Sequence, residues 1–293
     1  MRTTPPRTSS HLTPAALVPS VVVLSVLALS MAALLGACKR EQPAQPATPV
    51  ATAPDITPVL PPGGDTALKD VTEHTPDYLI GISYPAVASQ YPALAVELRK
   101  YAESARSDLI EAAKGRGKAE GAPPYELVLP FTELHVSPTL VAVGVDGSSY
   151  TGGAHGTPLI ARWVWLPRQN TLLRARDLVA DPKGWEAIAG LVREQLHTAL
   201  SQRVDADELP PAERVEVLKG ASRMIDEGTE PDPDHFSEFE PLVGADGRIR
   251  ALRFVFAPYQ VGPYSDGTQT VEVPAASLLP YITPAYRGLF EGG

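Results

Sequence analysis

Tyr78-Leu79-Ile80-Gly81-Ile82-Ser83-Tyr84, followed by Tyr91-Pro92, is the stretch whose reading decides the fold. Tyr78, Leu79, Ile80, Ile82 and Tyr84 make the first seven residues mainly apolar and β-prone, as a strand requires. Pro92 suits the first turn of a helix, where its missing N–H costs nothing. Leu94, Leu98, Tyr101, Ala105 and Leu109 then recur at steps of three and four, which places them on one helical face. Lys114-Gly115-Arg116-Gly117 ends that helix. Tyr125 to Val136 returns to strand, with Tyr125, Leu127, Leu129 and Phe131 in one phase and Leu134 and Val136 in the other. The phase switch predicts a bulge near Pro130. Leu140–Val145 and Leu159–Leu166 read as two more strands, joined by a loop over Asp146–Gly156.

Working outward, the second half carries different signals. Asp181-Pro182 is an N-cap with a first-turn proline, and Trp185, Ile188, Val192, Leu196 and Ala199 line the face of the helix it opens. Pro210-Pro211 opens another, with Val215, Leu218, Ala221 and Ile225 on its face. Asp246-Gly247 is a hairpin turn leading into Ile249–Phe256, and a last strand runs from Gln269 to Val273. Strands and helices come in runs, with no internal repeat. The class expected is α+β, mainly antiparallel sheets with packed helices, in two sub-domains over 70–168 and 169–293.

The N-terminal end carries an address. Arg2 and Arg7 precede an uncharged segment, and Leu17–Leu35 is dominated by Ala, Val and Leu. This is the layout of an export signal. It ends Leu34-Leu35-Gly36-Ala37-Cys38, which resembles the bacterial lipobox and makes Cys38 the expected lipidation site. The alternative is an uncleaved membrane span, since about 20 apolar residues cross a bilayer. Cys38 is the only cysteine, so no disulfide and no cysteine-ligated metal is expected. Residues 1–37 would be the lipoprotein signal peptide and 38–69 a lipidated cysteine and tether. Over Glu41–Asp65 the tether is rich in Pro, Ala and Thr; as polyproline II it would reach roughly 80 Å. Lys39 stands where Asp would signal inner-membrane retention, which points to the outer membrane, facing the periplasm. The chain has net charge −9, and loss of Arg2 and Arg7 with the signal leaves −11. That argues against nucleic acid and is compatible with a cationic partner.

Two stretches stand out as candidate sites. Tyr150-Thr151-Gly152-Gly153-Ala154-His155-Gly156 is a glycine-rich loop ending in an imidazole; Gly152 and Gly153 permit positive φ. It reads as a ligand contact or as a tight inter-strand turn. Phe256-Ala257-Pro258-Tyr259-Gln260-Val261-Gly262-Pro263-Tyr264-Ser265-Asp266-Gly267 sets two aromatic rings on a stiffened backbone. Such rings suit sugar stacking, a protein interface, or core packing at a strand exit. Tyr150, Gly152, Gly153, His155, Tyr259 and Tyr264 are therefore the candidate ligand- or partner-binding residues. Trp163 and Trp165 share a strand face, fit for the core or for a carbohydrate platform. Glu230, Asp232, Asp234, His235, Glu238 and Glu240 are dense in hard oxygen ligands, but the Ca²⁺-loop pattern fails at Phe236 and the needed glycine is missing, so a solvated loop is expected. His135 falls on the polar phase of its strand, and is expected to be exposed. No zinc helix, nucleophile elbow, phosphate loop or dinucleotide fingerprint occurs, so no catalytic residue, metal or cofactor is assigned.

The two quoted stretches, with the strand–helix–strand opening at Tyr78, resemble the RsiV/PdaC-type extracytoplasmic domain family of lysozyme-sensing anti-sigma factors and peptidoglycan deacetylases. The resemblance spans roughly Asp70 to Ile282. It implies a cell-envelope binding domain in two α+β parts, with lysozyme or peptidoglycan as partner. A short segment before the apolar stretch argues against the cytoplasmic half of an anti-sigma factor, and no deacetylase domain follows. Glu is expected where this chain has Gln260. The reading is a non-catalytic binding module for a cell-wall component or lysozyme-like protein; the alternatives are a peptidoglycan hydrolase or deacetylase using His155, and a structural envelope lipoprotein.

Overall fold

Period-two alternation along two central strands places a hydrophobic core on each face of one sheet. The computed structural model describes residues 67–115 and 123–293; the signal segment, Cys38 and most of the tether lie outside them. Six strands, β1 (Val71–His74), β2 (Tyr78–Ser83), β3 (Tyr125–Val136), β4 (Val141–Tyr150), β5 (Thr157–Leu166) and β6 (Thr171–Leu172), form one sheet in sequence order. β2 and β3 pair in parallel; every other pair in the sheet is antiparallel. The parallel pair brackets helix α1 (Pro92–Lys114), so the strand–helix–strand opening is the unit expected from the sequence.

α1 buries Leu94, Leu98 and Leu109, with Tyr101 and Ala105 partly buried, against Val141, Val143 and Val145 of β4 and Ala161, Trp163 and Trp165 of β5. The alternate residues Ala142, Val164 and Leu166 enter the second core on the opposite face. There they join α2 (Ala175–Leu178), α3 (Pro182–Ala206), α4 (Pro211–Gly228) and a second, antiparallel sheet of β7 (Phe239–Val243), β8 (Ile249–Phe256) and β9 (Gln269–Pro274). A short helix α5 (Ala275–Leu278) closes it. The fold is α+β, and all of it from Ala67 onward belongs to one compact unit.

The helix starts follow the sequence signals. Asp181 caps α3 by accepting from the Lys183 N–H at 3.0 Å. Trp185, Ile188, Val192 and Leu196 are buried, and Leu200, not the exposed Ala199, continues the stripe. On α4, Ile225 is buried and Leu218 and Ala221 partly so, while Val215 is exposed, because the first turns of α4 run past the core.

Two strand expectations are corrected. The register shift in β3 falls between Glu133 and His135, not at Pro130. Pro130 lies opposite Ser83, the last residue of β2, where the ladder is ending and a missing N–H costs little. The first five residues of the expected loop Asp146–Gly156 are strand: β4 continues to Tyr150, so the connection is only the six residues 151–156. His135 is half-buried rather than exposed. Its Nε2 is buried without a partner, and burial lowers its pKa.

Candidate functional site

The six-residue β4–β5 connection carries Gly152 and Gly153 at φ 99° and 97°, a left-handed region that only glycine enters without strain. The Tyr150 hydroxyl donates to the Gly153 carbonyl at 3.2 Å and ties the tip to its own strand. His155 contacts the Gly156 carbonyl through Nδ1 at 3.1 Å, so Nδ1 carries the proton. That makes Nε2 the ring nitrogen left for a second partner.

The second aromatic stretch is shaped by a tight turn. Gln260 N–H donates to the Ala257 carbonyl at 3.0 Å, with Pro258 and Tyr259 at the centre. Proline first and positive φ second are the marks of a type II turn, yet the second position holds Tyr259 at φ 74° rather than glycine. Tyr264 follows in a 3-10 turn over Tyr264–Asp266. Arg203 of α3 anchors that turn through Asp266 at 2.8 Å. Gln260 is a clamp: its side-chain amide donates to the Gly228 carbonyl at 3.2 Å and the His235 carbonyl at 2.9 Å. A glutamate could donate neither bond. Gly228 is required there, since a Cβ would lie 2.0 Å from the Gln260 carbonyl oxygen.

The fold brings both stretches together across 104 residues of sequence. The Tyr259 hydroxyl lies 3.2 Å from His155 Nε2, the acceptor left free by the Nδ1 contact. His155 stacks on Tyr264 with centroids 3.8 Å apart and planes at 15°. Tyr259 and Tyr264 are 5.7 Å apart at 39°. His155 is exposed, Tyr259 is 55% exposed and Tyr264 half-buried, so three fixed rings face solvent as one patch. Tyr150, Gly152 and Gly153 shape the loop beneath His155. Both imidazole nitrogens are engaged, and among the described residues no carboxylate contacts the ring. This arrangement positions a flat, amphipathic surface with an imidazole at its centre.

The other candidates fall elsewhere. Trp163 and Trp165 are buried at 7% and 2% exposure, Trp163 against Tyr101 and Phe131, and form no carbohydrate platform. The acidic run is not simply solvated. Glu240 binds Arg162 Nε at 2.7 Å, with the Glu240 side chain 12% and the Arg162 side chain 5% exposed, and Glu238 accepts the Arg162 backbone N–H. Burial raises the Glu238 pKa, partly offset by that hydrogen bond. Burial also pushes the Tyr101 phenol up to about 12, with the Glu238 charge adding to it. No group of three or more metal-ligating side chains occurs among the described residues. The signal for the Arg162 cluster was available: an arginine inside the apolar run Leu159–Leu166 must find buried partners.

Residues 177–276 match the model of a family described as a protein of unknown function, DUF3298. The match runs from α2 into α5 and holds Tyr259 and Tyr264, while His155 lies outside it. No curated protein matches the chain. A DUF3298 family protein from Pseudomonas aeruginosa PAO1, solved by crystallography, is similar over 77% of this chain and 96% of its own, at 16% identity and a TM-score of 0.52. A member of the same family from Bacteroides fragilis covers the same shares at 15% identity and a TM-score of 0.46. The likeness to the Pseudomonas protein is one of fold.

Proposed function

We propose that this protein is a cell-envelope lipoprotein, anchored through Cys38, whose folded part is a non-catalytic binding module for a lysozyme-like wall-active protein or for peptidoglycan. The observation that carries the reading is the patch of His155, Tyr259 and Tyr264, assembled from two distant stretches and held by their own hydrogen bond and stacking. Tyrosines fixed on a rigid turn lose little entropy on binding and offer both an apolar face and a hydroxyl, which suits a sugar ring or a protein side chain. The RsiV/PdaC-type resemblance supplies the partner class. The net charge of −11 left by loss of Arg2 and Arg7 with the signal (−9 − 2) favours encounter with a cationic lysozyme through steering.

The test is retention of the full-length protein, in detergent, on immobilised lysozyme and on insoluble peptidoglycan at low and moderate salt. Binding to one of the two is expected, weakened at least about tenfold by Tyr264→Ala, as for an aromatic anchor. Absence of binding to both at low salt, or parent-like binding by the variant, overturns the reading. Palmitate labelling that persists in Cys38→Ala would overturn the anchoring half.

A further inference from the structure

A second surface feature lies away from the aromatic patch. A cleft of about 280 Å³ opens between the start of α1, the β5–β6 hairpin and α2. Its size, below the ~300–1,000 Å³ of sites for drug-sized ligands, calls for a small molecule. Glu97 of α1 and Asp177 of α2 line it as acceptors, and Arg174 lines it as a donor. None of these three side chains forms an ion pair with another side chain of the described residues. A neighbour behaves differently: Arg176, next to Asp177 in the chain, pairs with Asp234 at 2.7 Å.

Trp165 also lines the cleft, and its Nε1–H is buried without a hydrogen-bond partner. The contrast is Trp185, whose indole N–H donates to the Val179 carbonyl at 2.9 Å. An orphaned buried donor is costly, and one beside a polar cleft calls for an explanation. Two acceptor carboxylates and two donors, one charged, match a ligand bearing a cation and an anion side by side. A neutral sugar would leave the charges unmatched; a simple anion would meet two carboxylates.

We propose that this cleft binds the head group of an α-amino acid, with its ammonium toward Glu97 and Asp177 and its carboxylate toward Arg174 and the Trp165 indole N–H. The site is separate from the patch of His155, Tyr259 and Tyr264 and does not depend on its partner. Trp165 Nε1 is covered at rest, so its contact requires a lining side chain to rotate, and binding should shift that indole resonance.

The test is calorimetric titration of the full-length protein in detergent with glycine and with both enantiomers of alanine. Acetate and methylamine each supply half of the head group, and glycylglycine separates the charges. Saturable binding of at least one amino acid below about 10 mM is expected. The halves and the dipeptide should bind at least about tenfold more weakly. Arg174→Gln and Glu97→Gln should each weaken binding about tenfold or more, as loss of a charge-assisted hydrogen bond does. Both positions are at the surface, and unchanged circular dichroism establishes that the variants fold. Trp165→Phe should weaken binding severalfold, read beside a modest loss of thermal stability because the smaller ring leaves space in the core. No saturable binding, equal binding of acetate or methylamine, or indifference to Arg174→Gln and Glu97→Gln overturns the proposal. Lysozyme or peptidoglycan retention is read separately, so either proposal can fail alone.

Discussion

Replacing Tyr259 should move stability and binding in different ways. At φ 74° an L-residue pays about 1–2 kcal/mol for crowding its Cβ against the backbone. Glycine pays none of that but loses about 0.5–1 kcal/mol more chain entropy on folding. Tyr259→Gly should therefore be more stable than Tyr259→Ala by roughly 0.5–1 kcal/mol. Both lose the same ring and the same bond to His155, so the comparison isolates the backbone. For a domain of this size the difference is about 2 °C in Tm, readable by scanning calorimetry and as a shift in urea midpoint at constant m. Tyr259→Asn should fall between them, since Asn tolerates the left-handed region better than most residues. On immobilised partner, Gly and Ala variants should be equally impaired. An alanine variant as stable as the glycine one would refute the strained turn and, with it, the argument that the ring is held by a backbone chosen for its position.

Two further outcomes follow from buried polar contacts. Gln260→Glu should destabilise by about 1–3 kcal/mol at neutral pH, because a carboxylate would face the Gly228 and His235 carbonyls with no proton to donate; urea denaturation measures it, and the loss should shrink under acid conditions as the carboxyl protonates. Glu238, whose pKa burial raises above the ordinary glutamate value of about 4.5, binds its proton more tightly in the folded than in the unfolded chain. Stability from this group is thus largest below about 4.5 and declines as pH rises through the raised value. Denaturation midpoints of parent and Glu238→Gln, followed upward from pH 4, should diverge with the variant gaining; parallel curves would contradict the assigned shift.

How far the sequence could be read depended on whether a signal was local. The cap at Asp181, the proline starts of α1, α3 and α4, and the apolar stripe of α1 are short-range, and they lie where the spacing put them. The bulge was misplaced because Pro130 announces a lost N–H whereas the true shift, at Leu134, has no residue-type signature; it answers to the β4 register. The 146–156 loop was drawn too long because Asp146, Gly147, Ser148 and Ser149 are turn formers in isolation. Pairing with β5 on one side and β3 on the other keeps them extended. The candidate site was legible as two separate stretches, but the contact between His155 and Tyr259 was not, since nothing in either stretch names the other. Glu238 and Glu240 looked like solvated acids because their partner, Arg162, lies far away in sequence.

That same arginine has a consequence for self-association. β6 pairs with Trp165 and Leu166 of β5 and the Leu173 N–H donates to the Val164 carbonyl beside them, which leaves the first part of a ten-residue strand with one side of its backbone outside the ladder. Such an edge is a template on which a foreign strand can assemble. The Glu238 carboxylate occupies the Arg162 amide on that side, and the Arg162 guanidinium is locked to Glu240 of the neighbouring sheet. An incoming strand would have to displace this buried, hydrogen-bonded carboxylate to pair with β5 at Arg162. The cluster is therefore a stopper against polymerisation along that edge.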